Sequence, residues 1–163
     1  QLDLYHASKN IGSLWFGIGK TEEKSYNGMD FVIMIAIAKV GETKFRKNMY
    51  KSKRKTEEEI WTGDKIKNVT EVVRFAPSAC NTQPWIAENT NGYIEVFRYK
   101  KPGKRGIMPA DKVNYYNRID IGIFLCFMDL CLNHENIEFE REIFADNNDN
   151  EKEKTLTAKY KFI

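Results

Sequence analysis

Two prolines bracket the segment Pro77-Ser78-Ala79-Cys80-Asn81-Thr82-Gln83-Pro84-Trp85. Each fixes its own backbone dihedral and restrains the residue before it, so Ser78, Asn81 and Gln83 stand on a stiff, irregular loop. A hydroxyl and two primary amides both donate and accept hydrogen bonds. Held rigid beside an anchoring tryptophan, they suit a heteroaromatic ring or a ribityl-type polyol. The plain alternative is a helix-stop turn whose polar side chains cap their neighbours.

A second group is basic. Lys44, Arg46, Lys47, Lys51, Lys53, Arg54 and Lys55 fall within twelve positions and are followed by Glu57, Glu58 and Glu59. A charge run of this kind is ordinarily a solvated face. One or two of these cations on a cofactor phosphate is a better reading than all of them on a polyanion. Asp120 shares a helix face with Tyr116 and reads as a satisfied core polar group. Cys80 lies inside the candidate loop, whereas Cys126 and Cys131 read as small buried hydrophobes. His6 and His134 have no partner in the sequence pattern and read as structural or exposed.

The elements that must position these groups follow from hydrophobic period and turn signals. Leu2 to Asn10 reads as the last turns of a helix with Leu2, Tyr5 and His6 on its buried side, stopped by Asn10-Ile11-Gly12. Ser13 to Gly19 mixes glycines with large aromatics and reads as a loop whose aromatics anchor in the core. Phe31 to Ala38 is a β-branched run, expected to be a strand buried on both faces. Thr56 opens an acidic first turn. Asn68 to Arg74 reads as a short helix, with Asn68 as N-cap and Glu71 three residues on.

Trp85-Ile86-Ala87 and Tyr93 to Tyr99 form a hairpin through Asn89-Thr90-Asn91-Gly92. Lys100 to Ala110 is a basic loop. Tyr115 to Asn133 is the longest helix, with Ile119, Ile123, Phe127 and Leu130 as its expected core stripe. Glu138 to Phe144 and Thr155 to Phe162 flank Asp146-Asn147-Asn148-Asp149-Asn150 as a second hairpin. Leu2 to Ile11 and Met128 to Ile137 echo one another, each a helix ending at Asn-Ile, by chance or through two related halves.

Composition bounds what such a chain does. At 163 residues, with 42% hydrophobic and 13% aromatic content, it has the material for one ordinary domain or two small lobes. No apolar run is long enough for a membrane-spanning helix. The charge of +3, from 26 basic and 23 acidic residues, does not point to nucleic acid. Three cysteines make no paired framework and show no zinc-ligand spacing, and the thiols point to a reducing cytoplasm. Because Leu2-Asp3-Leu4-Tyr5 already reads as helix and the chain begins at Gln1, an N-terminal part is expected to precede it.

The run from Ala76 to Trp85 resembles the A-P-S-x-x-N-x-Q-P-W segment of the flavin-dependent nitroreductase family. Gly12-Ser13-Leu14-Trp15-Phe16-Gly17 resembles that family's G-x-G-T-x-W-x-G turn after its central helix. Phe31 to Ala38 sits where the family has its core strand, and Lys53 to Ile60 resembles the basic element before its R-x-x-L-E-E helix. The chain order is similar to a tandem, pseudo-dimeric branch, because here the proline-bracketed segment follows the glycine-aromatic turn. The resemblance runs from about Leu2 to Leu132 and is most specific between Pro77 and Trp85. The family's N-terminal R-R-S-x-R phosphate motif has no match.

The resemblance implies an α+β fold, nitroreductase-like, with a mostly antiparallel sheet flanked by helices. It implies a single domain over 1–163 with pseudo-halves at 1–66 and 67–163. It implies FMN at the junction of two half-subunits, in a homodimer or an intramolecular pseudo-dimer, NAD(P)H as electron donor, and a small-molecule acceptor such as a nitroaromatic or quinone. Carried over by position, Ser78 and Asn81 contact the isoalloxazine or ribityl chain, and Pro77 and Gln83 shape that wall. The backbone of Leu14, Trp15, Phe16 and Gly17 approaches the pyrimidine edge and N5, and Lys53 and Arg54 meet the phosphate. No side-chain acid or base is demanded, and Cys80 is not a nucleophile in such a site. Neither nucleic acid nor membrane is an expected partner. The alternative kept open is a flavin or ligand binder without turnover; a basic nucleic-acid-associated domain is a weaker third reading.

Overall fold

The computed structural model describes residues 1–45, 47–99, 105–145 and 152–163. The chain divides into two compact units, Gln1–Lys51 and Ser52–Ile163.

The first unit opens with helix α1 (Leu2–Ser8), which stops where Asn10 takes a left-handed φ of 54°. Asn10, not Gly12, is therefore the residue that turns the chain, since a short amide side chain tolerates that region. Strand β1 (Ile11–Phe16) follows and pairs antiparallel with β4 (Met34–Lys39), running from Ile11 opposite Lys39 to Phe16 opposite Met34. Between them, β2 (Ser25–Tyr26) and β3 (Met29–Asp30) make a minimal hairpin over Asn27-Gly28, both left-handed as the primed turn requires.

Three expectations are corrected here. Gly12 to Phe16 is strand, and Leu14, Trp15 and Phe16 are exposed rather than anchored in a core. The strand expected at Phe31 to Ala38 begins at Met34, and most of it is exposed, because β4 belongs to a two-stranded ladder. On α1 only His6 is buried; Leu2 and Tyr5 face solvent.

The second unit is built on a five-stranded sheet ordered β5-β6-β7-β9-β8. Its strands are β5 (Trp61–Gly63), β6 (Trp85–Thr90), β7 (Tyr93–Tyr99), β8 (Phe139–Ile143) and β9 (Lys154–Phe162). All pairs are antiparallel except β5 with β6. That parallel contact is close: a Cβ on Gly63 would lie 1.9 Å from Asn89 O, and its φ is +84°. Both predicted hairpins form, and Asn91-Gly92 makes the tight turn of the first with φ values of 54° and 84°. The tract expected to turn the second, Asp146 to Asn150, lies outside the described residues, as does 100–104 of the basic loop.

Helices α2 (Glu57–Ile60), α3 (Val69–Val73) and α4 (Val113–His134) complete this unit. At α2 the Thr56 N–H donates to the Glu59 carboxylate at 2.8 Å, closing the first turn. Asn68 does not cap α3 as expected. Its amide donates to both carboxylate oxygens of Glu135, at 3.1 Å each. The Thr70 hydroxyl instead accepts the Ile66 N–H at 3.1 Å.

One face of the sheet packs on α4. Trp85, Ile94, Val96, Ala158 and Tyr160 meet Phe124, Met128 and Leu132, and Trp85 stacks on Phe124 with centroids 4.8 Å apart. The buried stripe of α4 is Val113, Asn117, Asp120, Ile121, Phe124, Leu125, Met128 and Leu132. The expected stripe lies to one side of it: Ile123 and Phe127 only flank the core, and Leu130 is exposed. The helix is apolar over so much of its circumference that hydrophobic spacing alone does not fix its inner face.

Candidate functional site

The proline-bracketed segment is a strap across unit two, built by unusual backbone. Ala79–Asn81 is a single 3-10 turn, and Cys80, Asn81 and Gln83 have φ of 49°, 55° and 48°. Three left-handed non-glycine residues in four positions cost on the order of 1 kcal/mol each and persist only where the surroundings over-determine them.

The surroundings here do so. The Gln83 N–H donates to Ser78 Oγ at 2.9 Å, the Asn81 N–H to Ser78 O at 3.0 Å, and the Thr82 N–H to Ala79 O at 3.1 Å. At the exit, the Tyr99 N–H donates to Pro84 O at 2.8 Å, and Trp85 is buried against Phe124. Trp85 thus pins the far end, as its size and position suggested.

The basic residues before α2 close onto this strap. Arg54 Nη1 donates to Asn81 Oδ1 at 2.8 Å and to Lys53 O at 3.0 Å, while Asn81 Nδ2 donates back to Lys53 O at 3.0 Å. Lys55 grips Gln83 twice: its N–H donates to Gln83 Oε1 at 2.8 Å and its Nζ to Gln83 O at 2.7 Å. Arg74 Nη1 donates to Lys55 O at 3.2 Å. The fold therefore brings Lys53 and Arg54 together with Ser78, Asn81 and Gln83 in one network. Lys53 is exposed with Asn81 and Cys80, and Gln83 is buried.

The remaining candidates, Leu14, Trp15, Phe16 and Gly17, belong to the first unit, on β1 and just after it. There the Ser13 hydroxyl donates to the Asp3 carboxylate. A cleft of about 510 Å³ in that unit is lined by Asp3, Ala7, Leu14, Ile37, Val40 and Phe45 among others, and is mostly apolar.

Sequence reasoning missed three residues of the strap's support. Lys55 holds it through its own N–H and through Gln83 O, and Arg74 braces Lys55 O; no motif encodes these main-chain groups. Asp120, read as a bland core group, reaches across from α4: its Oδ1 accepts the Ala79 N–H at 2.8 Å. Burial pushes the Asp120 carboxyl up to about 7, against the lowering effect of the Ala79 N–H and the Thr82 hydroxyl. Its position on the face of Tyr116 was legible; its partner was not.

The arrangement is cationic, with Lys53, Arg54, Lys55 and Arg74 around a backbone-rich turn. Such a rim suits an anionic ligand carrying a phosphate. Among the described residues no group of three or more His, Cys, Asp or Glu side chains is placed to hold a metal ion. No helix among them is long and apolar enough to cross a membrane.

No curated protein matches the chain. Its fold is similar to the crystal structure of a putative nitroreductase from Thermotoga maritima, with a TM-score of 0.60 and 17% sequence identity. That similarity covers 98% of this chain and 58% of the other, so the chain spans under two thirds of that relative's length. The model of the family described as "Putative TM nitroreductase" matches residues 1–132, which include α1, the strap and nearly all of α4. The chain belongs to that family.

Proposed function

We propose that the protein is an FMN-dependent oxidoreductase that takes electrons from NAD(P)H and passes them to a small flat acceptor, such as a nitroaromatic or a quinone. The observation that carries this reading is the strap network, which gathers Lys53, Arg54, Ser78, Asn81 and Gln83 into one cationic, rigid wall. FMN held by Lys53, Arg54, Ser78, Asn81 and Gln83 would supply the redox chemistry between the nicotinamide donor and the acceptor.

The chain's own residues bind and orient. Lys53 presents an exposed ammonium for the phosphate, and Arg54 holds Asn81 in place while keeping the rim positive. Pro77 and Gln83 stiffen the wall. Ser78 uses its oxygen to accept the Gln83 N–H and keeps its hydroxyl proton to donate outward. Leu14, Trp15, Phe16 and Gly17 are proposed contacts to the ring, supplied within the chain or by a second copy in a homodimer. None of the three cysteines, all among the described residues, is in a disulfide, in keeping with a cytoplasmic setting.

A specific observation favours a second reading, a ligand holder without turnover. Asn81 and Gln83 spend polar side-chain atoms on Arg54, Lys53 and Lys55, which leaves fewer groups to direct at a substrate. The combined Ser78→Ala and Asn81→Ala variant separates site from scaffold. The expected result is FMN affinity lowered by roughly tenfold or more with the fold intact, measured by flavin fluorescence and circular dichroism. Unchanged FMN affinity in a folded double variant overturns the site assignment. Turnover of NADH by the flavin-loaded wild type distinguishes the enzyme from the holder.

A further inference from the structure

Beneath the strap lie two buried acceptors that have no donor among the described residues. Asp120 is 2% exposed; its Oδ1 takes the Ala79 N–H, and its Oδ2 is buried with no hydrogen-bond partner. Asn117 is 3% exposed, and its Oδ1 is likewise buried and unpartnered. Three residues apart on α4, the two side chains share a helix face. A proton on Oδ2 removes the charge from that buried, unpartnered oxygen. Ionised, the carboxylate keeps that oxygen buried and uncompensated, which is the costlier state for a charged group.

The groups around Asp120 do not supply a countercharge. The 3-10 turn offers the Ala79 N–H, and the Thr82 hydroxyl already donates to Ala79 O at 3.0 Å. Cys80, the titratable residue of that turn, is exposed, with Gly106 packed so close that a Cβ there would lie 2.8 Å from Cys80 Cβ. In the 3-10 turn before α4, Asp111 and Lys112 are exposed and pair with each other at 3.6 Å. On α4 itself, Arg118 is half-buried with an interaction of its own. Among the described residues no charged side chain contributes to the Asp120 equilibrium, which is governed by burial.

We propose that Asp120 is the positioning residue of the strap, a carboxyl latch that holds Ala79 to Gln83 firmly when protonated and loosens them when ionised. Relief of a buried charge requires water. The part-exposed turn from Ser78 to Asn81 is the cover bonded directly to the carboxyl, so it is the segment that opens. Strap opening loosens whatever the strap holds. The link to flavin retention rests on the function proposed above, whereas the latch itself does not.

The test follows the Ala79 amide resonance and hydrogen exchange of residues 79 to 83 in the wild-type protein from about pH 5.5 to 8.5, with exchange corrected for intrinsic base catalysis. The Ala79 resonance is expected to titrate with a midpoint near 7. Corrected exchange in the strap is expected to rise by about tenfold above that midpoint, and both responses vanish in Asp120→Asn. Should Asp120→Asn fail to fold, the Asp120 carboxyl carbon resonance of the wild type serves in its place. It is expected to titrate together with the Ala79 amide, and an Ala79 midpoint that does not coincide with it overturns the latch. A flat Ala79 resonance in wild type, or the same titration in Asp120→Asn, also overturns it.

FMN affinity measured over the same range reports the coupling. It is expected to weaken several-fold from low to high pH in wild type and to stay flat in Asp120→Asn. Flat affinity in wild type beside a titrating Ala79 overturns the coupling. Absence of FMN binding at every pH overturns the proposed function and the coupling with it, while the Ala79 titration still decides the latch.

Discussion

Two regions of the molecule are written in nearly the same local code and end in different surroundings. In the first, α1 stops at left-handed Asn10 and runs into β1, which pairs antiparallel with β4. In the second, α4 stops at left-handed Asn136 and leads into β8, which pairs antiparallel with β9. The asparagine φ values, 54° and 55°, are the same within a degree. Yet β9 is also bonded to β7 and packs on α4, whereas β1 and β4 form a ladder of two and expose Leu14 at 61% and Ile37 at 59%. The helix, its stop and the pairing are local properties. Burial depends on what the pair is laid against, and no signal within either pair encodes that.

The most forceful way to break this comparison is a truncation in each region. Phe124→Ala removes the ring stacked on Trp85 from a fully buried site and is expected to cost about 3–5 kcal/mol. Leu14→Ala, at an exposed position, is expected to cost within about 0.5 kcal/mol. Urea denaturation of both variants measures the gap. Equal losses would mean that Leu14 is buried in solution.

Titration of Asp120 gives the next effect. Its folded-state pKa of about 7 lies above the ordinary 3.8, so the fold holds a proton that the unfolded chain has already lost between those values. Stability is therefore expected to fall as pH rises through that window, by at most a few kcal/mol, and then to level off. In Asp120→Asn this contribution to the pH dependence disappears. Thermal melts of both proteins at pH 5 and pH 8 check it, and parallel pH dependences would contradict it.

A smaller loss is expected at Tyr160→Phe. The Tyr160 hydroxyl donates to Asp129 Oδ1 at 2.8 Å, and Arg141 donates to the other oxygen of the same carboxylate, tying α4 to β8 and β9. Removing the hydroxyl leaves Arg141 in place, so a loss of about 1–2 kcal/mol is expected from denaturant titration. The first unit has a lighter counterpart in Ser13 and Asp3.

The smallest effect sharpens the shared feature. Asn10→Ala and Asn136→Ala each force a left-handed alanine, at about 1 kcal/mol, while the glycine variants cost little or nothing. Only Asn136→Ala is expected to move the melting of the second unit. If Asn10→Ala moves it equally, the two units unfold as one.

Much of the candidate site was legible in sequence because its information is local. The prolines at 77 and 84, the polar residues between them and the anchor at Trp85 all lie within nine positions. The cations at Lys53 and Arg54 were readable as a basic element, and the fold places them on the strap. Their use was not readable: Arg54 spends its donors on Asn81 and on main-chain oxygens, and Lys55 is the residue that grips Gln83. Main-chain acceptors leave no trace in residue type.

Asp120 was hidden for the same reason, since its partner is the Ala79 N–H. The inner face of α4 was blurred because apolar residues surround much of that helix. The run at Phe31 to Ala38 was mistaken for a buried strand because β-branched residues report a preference for extended backbone and not the number of strands beside it. The small hairpin at Asn27-Gly28 carried a clear turn signal, but its strands are only two residues each, too short to show a period.

The most direct test of the central claim, that the strap is the wall of a flavin site that turns over, is the visible absorption spectrum of the purified protein loaded with FMN, recorded anaerobically before and after NADH or NADPH. The predicted result is a bound-flavin spectrum that bleaches on reduction and returns when a quinone or nitroaromatic is added. A protein that neither carries nor takes up FMN would contradict the claim.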